Sequence, residues 1–252
     1  MPVGAHTPSA HPLEEAEARG ADLVQIFLSN PQGWRKPEPR ADAEELRASK
    51  IPIYVHSPYL INVCADDNKI RIPSRRILQE TCDAAAEIGA AGVVVHGGHV
   101  TGDSPQEEGI ERWRKALAVL DTEVPVLIEN TAGGDKAVAR RVEWIARLWE
   151  GIGEYGVGFV LDTCHSWAGG EPFDDLVARV MEATGRIDLV HANDSKDPFD
   201  SRRDRHENLG HGKIPPEELI KVIREAQAPT VVETPGGAVE QKADIDWIRS
   251  QL

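Results

Sequence analysis

The sequence predicts a single (β/α)8 barrel over residues 1–252, with its active site at the C-terminal ends of the strands. Three observations point there. Short β-branched apolar runs alternate with helix-patterned segments eight times along the chain. No linker, low-complexity stretch or shift in composition divides it. A length of 252 residues suits one such barrel, and eight unbroken alternations favour a closed barrel over a doubly wound sheet.

The expected strands, in order, are PVGAH (residues 2–6), DLVQIFL (22–28), IPIYVH (51–56), GVVVHG (92–97), PVLIEN (125–130), VGFVLD (157–162), IDLVHAND (187–194) and PTVVET (229–234). Between them lie helix-patterned stretches such as residues 74–89 and 134–153. In the second of these, Val138, Val142, Ile145 and Leu148 fall on one face at helical spacing. Pro172, Pro215 and Pro216 precede helical patterns, where a first turn tolerates proline.

Composition excludes several classes. No apolar run approaches the roughly 20 residues that cross a bilayer, so no membrane partner is expected. The start, MPVGAHTPSA, lacks the pattern of a secretory signal, which predicts a cytoplasmic protein. Three widely spaced cysteines, Cys64, Cys82 and Cys164, form no C-x-x-C pair and read as small buried residues. A net charge of −14 argues against broad nucleic-acid binding, which rests on neutralising phosphates. A polyanionic substrate therefore needs a local positive field.

The stretch LDTCHSW (161–167) shows where that field arises. A carboxylate at the end of a buried strand is costly unless a cation meets it, and the pattern recurs. Strand three ends on His56, four on His96, five on Glu129 and six on Asp162, with His165 just beyond. Strand seven brings His191 and strand eight Glu233, while the loop RRDRHENLG adds Asp204 and His206. Each alone has a plainer explanation: a hydrogen-bonded core histidine, or an aspartate capping the next helix. Together they converge on one face, where four carboxylates without cations would repel one another. Imidazoles mixed with carboxylates suit Zn²⁺ or Mn²⁺ better than Ca²⁺. His6 is placed to support this group from behind, His99 to orient a loop, and His11 and His211 at the surface.

The ordered set HSPYLIN (56–62), VVHGGH (94–99), IENTAGG (128–134), LDTCH (161–165), HANDSK (191–196), DRHENLGHG (204–212) and VVETPG (231–236) resembles the endonuclease IV (deoxyribonuclease IV) family of apurinic/apyrimidinic-site endonucleases. The resemblance spans essentially the whole chain. It implies three Zn²⁺ per chain, with Mn²⁺ possible at one site. One ion falls to His56, His96 and Glu129; a second shares Glu129 and adds Asp162, His191 and Glu233; a third falls to His165, Asp204 and His206. Three divalent ions outweigh the four carboxylates, which lets an acidic protein hold a DNA phosphate.

The implied activity is base excision repair. The phosphodiester 5′ to an abasic site in duplex DNA would be hydrolysed to a 3′-hydroxyl and a 5′-deoxyribose phosphate. Glu129 would position the metal-bound hydroxide. Tyr59 and Leu60 resemble the family's residues that push into the base stack. Basic residues concentrate in the upper loops: Arg35, Lys36 and Arg40; Lys69, Arg71, Arg75 and Arg76; Lys196, Arg202, Arg203 and Arg205. Among these, Arg71 and Arg205 are expected to meet DNA. Aligning the loop NPQGW on Trp34 places Gln32 where the family often has an arginine wedge, a departure that bears on lesion gripping and leaves the metal chemistry untouched. A monomer without an obligate protein partner is expected.

Two rival readings need different residues. A sugar isomerase of the xylose-isomerase-like superfamily shares the barrel but has no use for the histidine-rich third group. A non-catalytic damaged-DNA binder would be expected to show a broken ligand set, and all nine ligand types are present.

Overall fold

The alternation becomes geometry in the computed structural model, which describes residues 1–252. The strands are β1 (Val3–His6), β2 (Val24–Ile26), β3 (Ile53–His56), β4 (Gly92–His96), β5 (Val126–Glu129), β6 (Gly158–Asp162), β7 (Leu189–His191), the two-residue β8 (Asp194–Ser195) and β9 (His206–Glu207), and β10 (Thr230–Val232). All but β8 and β9 run parallel and close a barrel, with β10 pairing to both β1 and β7. The helices are α1 (Pro12–Arg19), α2 (Ala43–Ala48), α3 (Asn68–Glu87), α4 (Glu107–Leu117), α5 (Val142–Ile152), α6 (Thr163–Ala168), α7 (Leu176–Thr184), α8 (Pro216–Ala226) and α9 (Ala238–Gln251).

A strand's side chains alternate between faces, and here the alternation separates two cores. Val24, Val55, Val95, Ile128, Leu161, Val190 and Val232 belong to the large apolar cluster shared with the helices. Leu23, Tyr54, Val94, Leu127, Val160, Leu189 and Val231 form a second buried cluster, filling the barrel itself. On the first strand the corresponding position is Gly4, where an added Cβ would lie 1.8 Å from the Leu23 carbonyl oxygen. Two residues further along each strand the inward face turns polar: His6, Gln25, His56, His96, Glu129, Asp162, His191 and Glu233. Strand periodicity thus raises a polar ring directly above an aliphatic floor.

Some boundaries differ from expectation. Helix α5 starts at Val142, not near 134, and Val138 is buried off it. Ala137 instead pairs antiparallel with His99, and the Val142 amide donates to Glu171 Oε1 at 3.0 Å, which fixes the helix start. Helix α3 begins six residues before Ser74 and runs through Pro73; Asp67 caps it by accepting the Lys69 amide at 2.8 Å. Pro172 lies ahead of α7 rather than in its first turn, whereas Pro216 opens α8 as expected.

The seventh strand stops at His191, three residues short of the expected run. Beyond it, the Asp194 carboxylate accepts the backbone amides of Ser195, Gly210, Gly212 and Ile214 at 2.7–3.1 Å. That gathering folds the following loop back on itself. Gly212 is required there, since an added Cβ would sit 2.3 Å from Asp194 Oδ1.

Candidate metal centre

Barrel register brings the predicted residues level with one another. His96 is the cross-strand partner of Glu129, and Asp162 that of His191. Adjacent strands lie about 4.8 Å apart, so side chains at these paired ends reach a common volume. Asp162 and His165 are set by one turn. The Asp162 carboxylate caps α6, its Oδ1 accepting the His165 amide at 2.6 Å, which turns the imidazole inward. The capping explanation of this aspartate holds for Oδ1, while Oδ2 faces the centre.

All nine predicted residues come together, in groups tight enough to hold ions. In the first, His56 Nε2 and His96 Nε2 lie 3.2 and 3.3 Å from Glu129 Oε2. In the second, His191 Nδ1 lies 2.9 Å from Glu129 Oε1, 3.2 Å from Glu233 Oε2 and 4.0 Å from Asp162 Oδ2. Glu129 thus faces both groups, one oxygen to each. In the third, Asp204 spans His165 Nε2 at 3.1 Å and His206 Nε2 at 3.0 Å. Asp162 approaches the same histidines, and the Cys164 thiol lies close enough to Asp204 and His206 to complete an alternative group. Burial pushes that thiol up to about 12, away from the thiolate form that a ligand takes.

The donor set fits divalent cations. No lysine or arginine pairs with Glu129, Asp162, Asp204 or Glu233; the only groups near them that can carry positive charge are imidazoles. His206 Nε2 is buried and makes no well-directed hydrogen bond despite its closeness to Asp204. The remaining ring nitrogens are fixed from behind. His56 Nδ1 meets the Ser57 carbonyl at 2.7 Å, His165 Nδ1 the Asn130 carbonyl at 2.9 Å and His206 Nδ1 the Glu233 carbonyl at 3.3 Å. Each leaves Nε2 aimed at the centre, the outer arrangement metal-binding histidines use.

The electrostatics report the same demand for positive charge. Burial raises the Asp162 carboxyl. Burial acts the same way on Glu129, but His191 and His96 overcome it and hold Glu129 well below the usual range. Conversely, burial would lower His191, yet Glu233 and Glu129 hold it at about 9. His206 stands at about 9 for like reason, with Asp204 and Asp162 overcoming burial. Protonated imidazoles balance the carboxylates by the charge a bound cation would otherwise supply.

Several participants escaped the sequence-based expectation. Asn193 Nδ2 donates to Asp162 Oδ2 at 2.7 Å, and its Oδ1 accepts the Glu233 amide at 2.8 Å. Asn130 Oδ1 accepts the Asp162 amide at 2.7 Å. Gln25 touches Glu233, His191 and His6. Their one signal was a polar side chain in or just past an apolar strand run. His6 stands behind Glu233 as expected, with Nδ1 3.3 Å from Oε1. His99 links loops through its backbone to Asn62, and His11 and His211 are exposed. All three cysteines are free and buried.

At the rim, Tyr59 is exposed, its ring stacked 5.8 Å from that of His96, and Leu60 is half-buried beside it. Gln32 is exposed on the neighbouring loop, which meets this one through the Tyr59 amide and Pro31 carbonyl at 2.9 Å. Arg71 donates to the carbonyls of Ala65 and Asp66, bracing its own loop. Arg205 forms a two-pronged pair with Asp197 at 2.5–2.6 Å. Arg35, Lys36, Lys69 and Lys196 are exposed.

A closed barrel whose mouth gathers histidines and carboxylates into groups that could hold metal ions places the chain in a class of barrel enzymes. The family model described as xylose isomerase-like TIM barrel matches residues 13–251. "Probable endonuclease 4" of Mycobacterium tuberculosis is 57% identical over 251 residues, covering 100% of this chain and 99% of the relative; that of Mycobacterium leprae is likewise 57% identical. The crystal structure of endonuclease IV from Thermus thermophilus superposes with a TM-score of 0.86 at 32% identity, covering 100% of this chain and 98% of that one. The chain belongs to the endonuclease IV family of xylose isomerase-like TIM barrels. A D-tagatose 3-epimerase-like protein, 18% identical with a TM-score of 0.81, shares the fold alone.

Proposed function

We propose that this enzyme is a zinc-dependent apurinic/apyrimidinic endonuclease, cutting duplex DNA 5′ to an abasic site to leave a 3′-hydroxyl and a 5′-deoxyribose phosphate. Three Zn²⁺ would be held by His56, His96 and Glu129; by Glu129, Asp162, His191 and Glu233; and by His165, Asp204 and His206, with Mn²⁺ admissible at one site. The observation that carries the proposal is the convergence of nine imidazole and carboxylate side chains in adjoining groups at one mouth. Divalent ions bound there supply a nucleophilic water at neutral pH and neutralise phosphoryl charge.

The chain's own residues divide the remaining work. Glu129, shared by two groups, fixes the spacing between them. His165 and His206, oriented by carbonyls behind them, aim Asp204 across the third group. Tyr59 and Leu60 stand where an apolar wedge could occupy the gap left by a missing base, and a nucleotide without a base costs less to extrude. Arg35, Lys36, Lys69 and Lys196 supply phosphate contacts. Arg71 and Arg205 join them from the rim after giving up internal partners, and Gln32 grips more weakly than an arginine would. The protein works as a cytoplasmic monomer.

Elemental analysis paired with cleavage of a duplex bearing one abasic site tests this, with Glu129→Gln as control. Three zinc per chain and a single nick 5′ to the lesion are expected. Full metal content without nicking would favour a DNA binder, and aldose–ketose conversion with one or two metals would favour an isomerase.

A further inference from the structure

Seven members of the polar ring are histidines or acids; the eighth is Gln25. It is fully buried on β2, 19 residues from the nearest ring member in sequence and in contact with three of them. A neutral amide among ionisable groups needs a physical reason, since leucine would fill the volume and valine and isoleucine flank it on the strand. The hydrogen bonds supply one. The atom 2.6 Å from Glu233 Oε1 must be the amide nitrogen, because a carboxylate only accepts. The same nitrogen lies 3.0 Å from His6 Nδ1, so its second hydrogen goes there. His6 Nδ1 then accepts, and its nearness to Glu233 is not an ion pair. The Gln25 oxygen is left to accept, and its partner at 2.9 Å is His191 Nε2.

That last bond has a consequence for the second group. With Nε2 carrying its hydrogen, the lone pair of neutral His191 sits on Nδ1, the nitrogen facing Glu129, Glu233 and Asp162. His56 and His165 are oriented the opposite way round, each by a backbone carbonyl at Nδ1. Every other histidine of the centre whose rear nitrogen is bonded uses the main chain, whereas His191 relies on a side chain.

We propose that Gln25 is a positioning residue that selects Nδ1 of His191 as a metal ligand and holds Glu233 against the same ion, so that the second cation depends on it far more than the others do. This rests on the metal-centre proposal above. Gln25→Leu removes both bonds at similar volume. Gln25→Asn keeps the amide but is one methylene too short to reach both partners, and serves if the leucine variant fails to fold. Metal retained per chain after dialysis against a graded chelator, and ¹⁵N shifts of the His191 ring in the zinc-loaded protein, provide readouts independent of cleavage.

Either folded variant should release one zinc equivalent at a chelator strength about 10- to 100-fold lower than the unaltered protein. The other two should be retained, and the Nδ1-bound ¹⁵N pattern of His191 should be lost. On abasic-site DNA, kcat should fall with KM little changed. Wild-type zinc retention with the His191 pattern intact would overturn the role of Gln25 while leaving the centre standing. Failure of the unaltered protein to retain any divalent ion would overturn both.

Discussion

Asp162 and His165 are joined by a 2.6 Å hydrogen bond from the histidine amide to the aspartate Oδ1, so one carboxylate both starts α6 and faces the centre. The two duties are separable. In the chelator-stripped protein, Asp162→Asn keeps an oxygen for the cap, and although its amide then opposes Asn193 Nδ2 it should unfold in denaturant closer to the parent than Asp162→Ala does. Asp162→Ala should lose about 0.5–2 kcal/mol, the worth of an N-cap. Both should lose zinc and at least about 100-fold in abasic-site cleavage, through weaker electrostatic stabilisation. Equal stability of the two variants would refute the capping role.

Glu129 should be the most sensitive position of the nine. Its two oxygens face different groups, whereas His96 serves one. Glu129→Gln should reduce both metal content and cleavage more than His96→Ala. Elemental analysis and initial rates on the same duplex decide the order.

Proton release should accompany zinc uptake. His191 and His206 are held at about 9, above their ordinary 6.5. A folded-state value raised in this way stabilises the chelator-stripped chain fully below about pH 6.5, and that contribution is lost as pH rises through about 9. Zinc must displace those protons. Titration calorimetry near pH 7 in buffers of different ionisation enthalpy should reveal them, and zinc affinity should fall as the solution is acidified.

The barrel floor predicts a severe substitution remote from chemistry. Gly4→Ala places a methyl 1.8 Å from the Leu23 carbonyl oxygen, backbone that cannot step aside. The cost should be at least about 3 kcal/mol, visible as lost soluble yield or a lowered Tm. Gly212→Ala should behave differently, loosening the loop around Asp194 and the ligands it carries before the barrel itself.

Stability can also be added. Gln227 closes α8 with φ of 49°, a left-handed conformation, and its side chain is exposed. Gln227→Gly should stabilise by about 1 kcal/mol, measured by chemical denaturation, without altering cleavage.

The strand ends were legible because a period of two is simple: each polar residue interrupts an apolar run and faces where its neighbours face. That pattern located His56, His96, Glu129, Asp162, His191 and Glu233 together. The loop carrying Asp204 and His206 was legible as residues but not as shape, because its fold depends on Asp194 collecting amides as far as 20 residues away. Gln25 went unremarked for a related reason. Within DLVQIFL it reads as one polar residue in a strand, and only barrel closure brings it to Glu233, 208 residues distant. Arg71 and Arg205 read as DNA contacts because sequence does not reveal the carbonyls and carboxylate that occupy them.

The aliphatic floor has a consequence for traffic. Leu127, Val160, Leu189 and Val231 close the barrel directly beneath the ring, so a hydrated ion enters from the mouth, and Tyr59 leans over His96 at that doorway. DNA lying across that doorway would cork it. Once seated on a lesion, the enzyme should surrender its ions to a scavenger only as fast as it lets go of the helix.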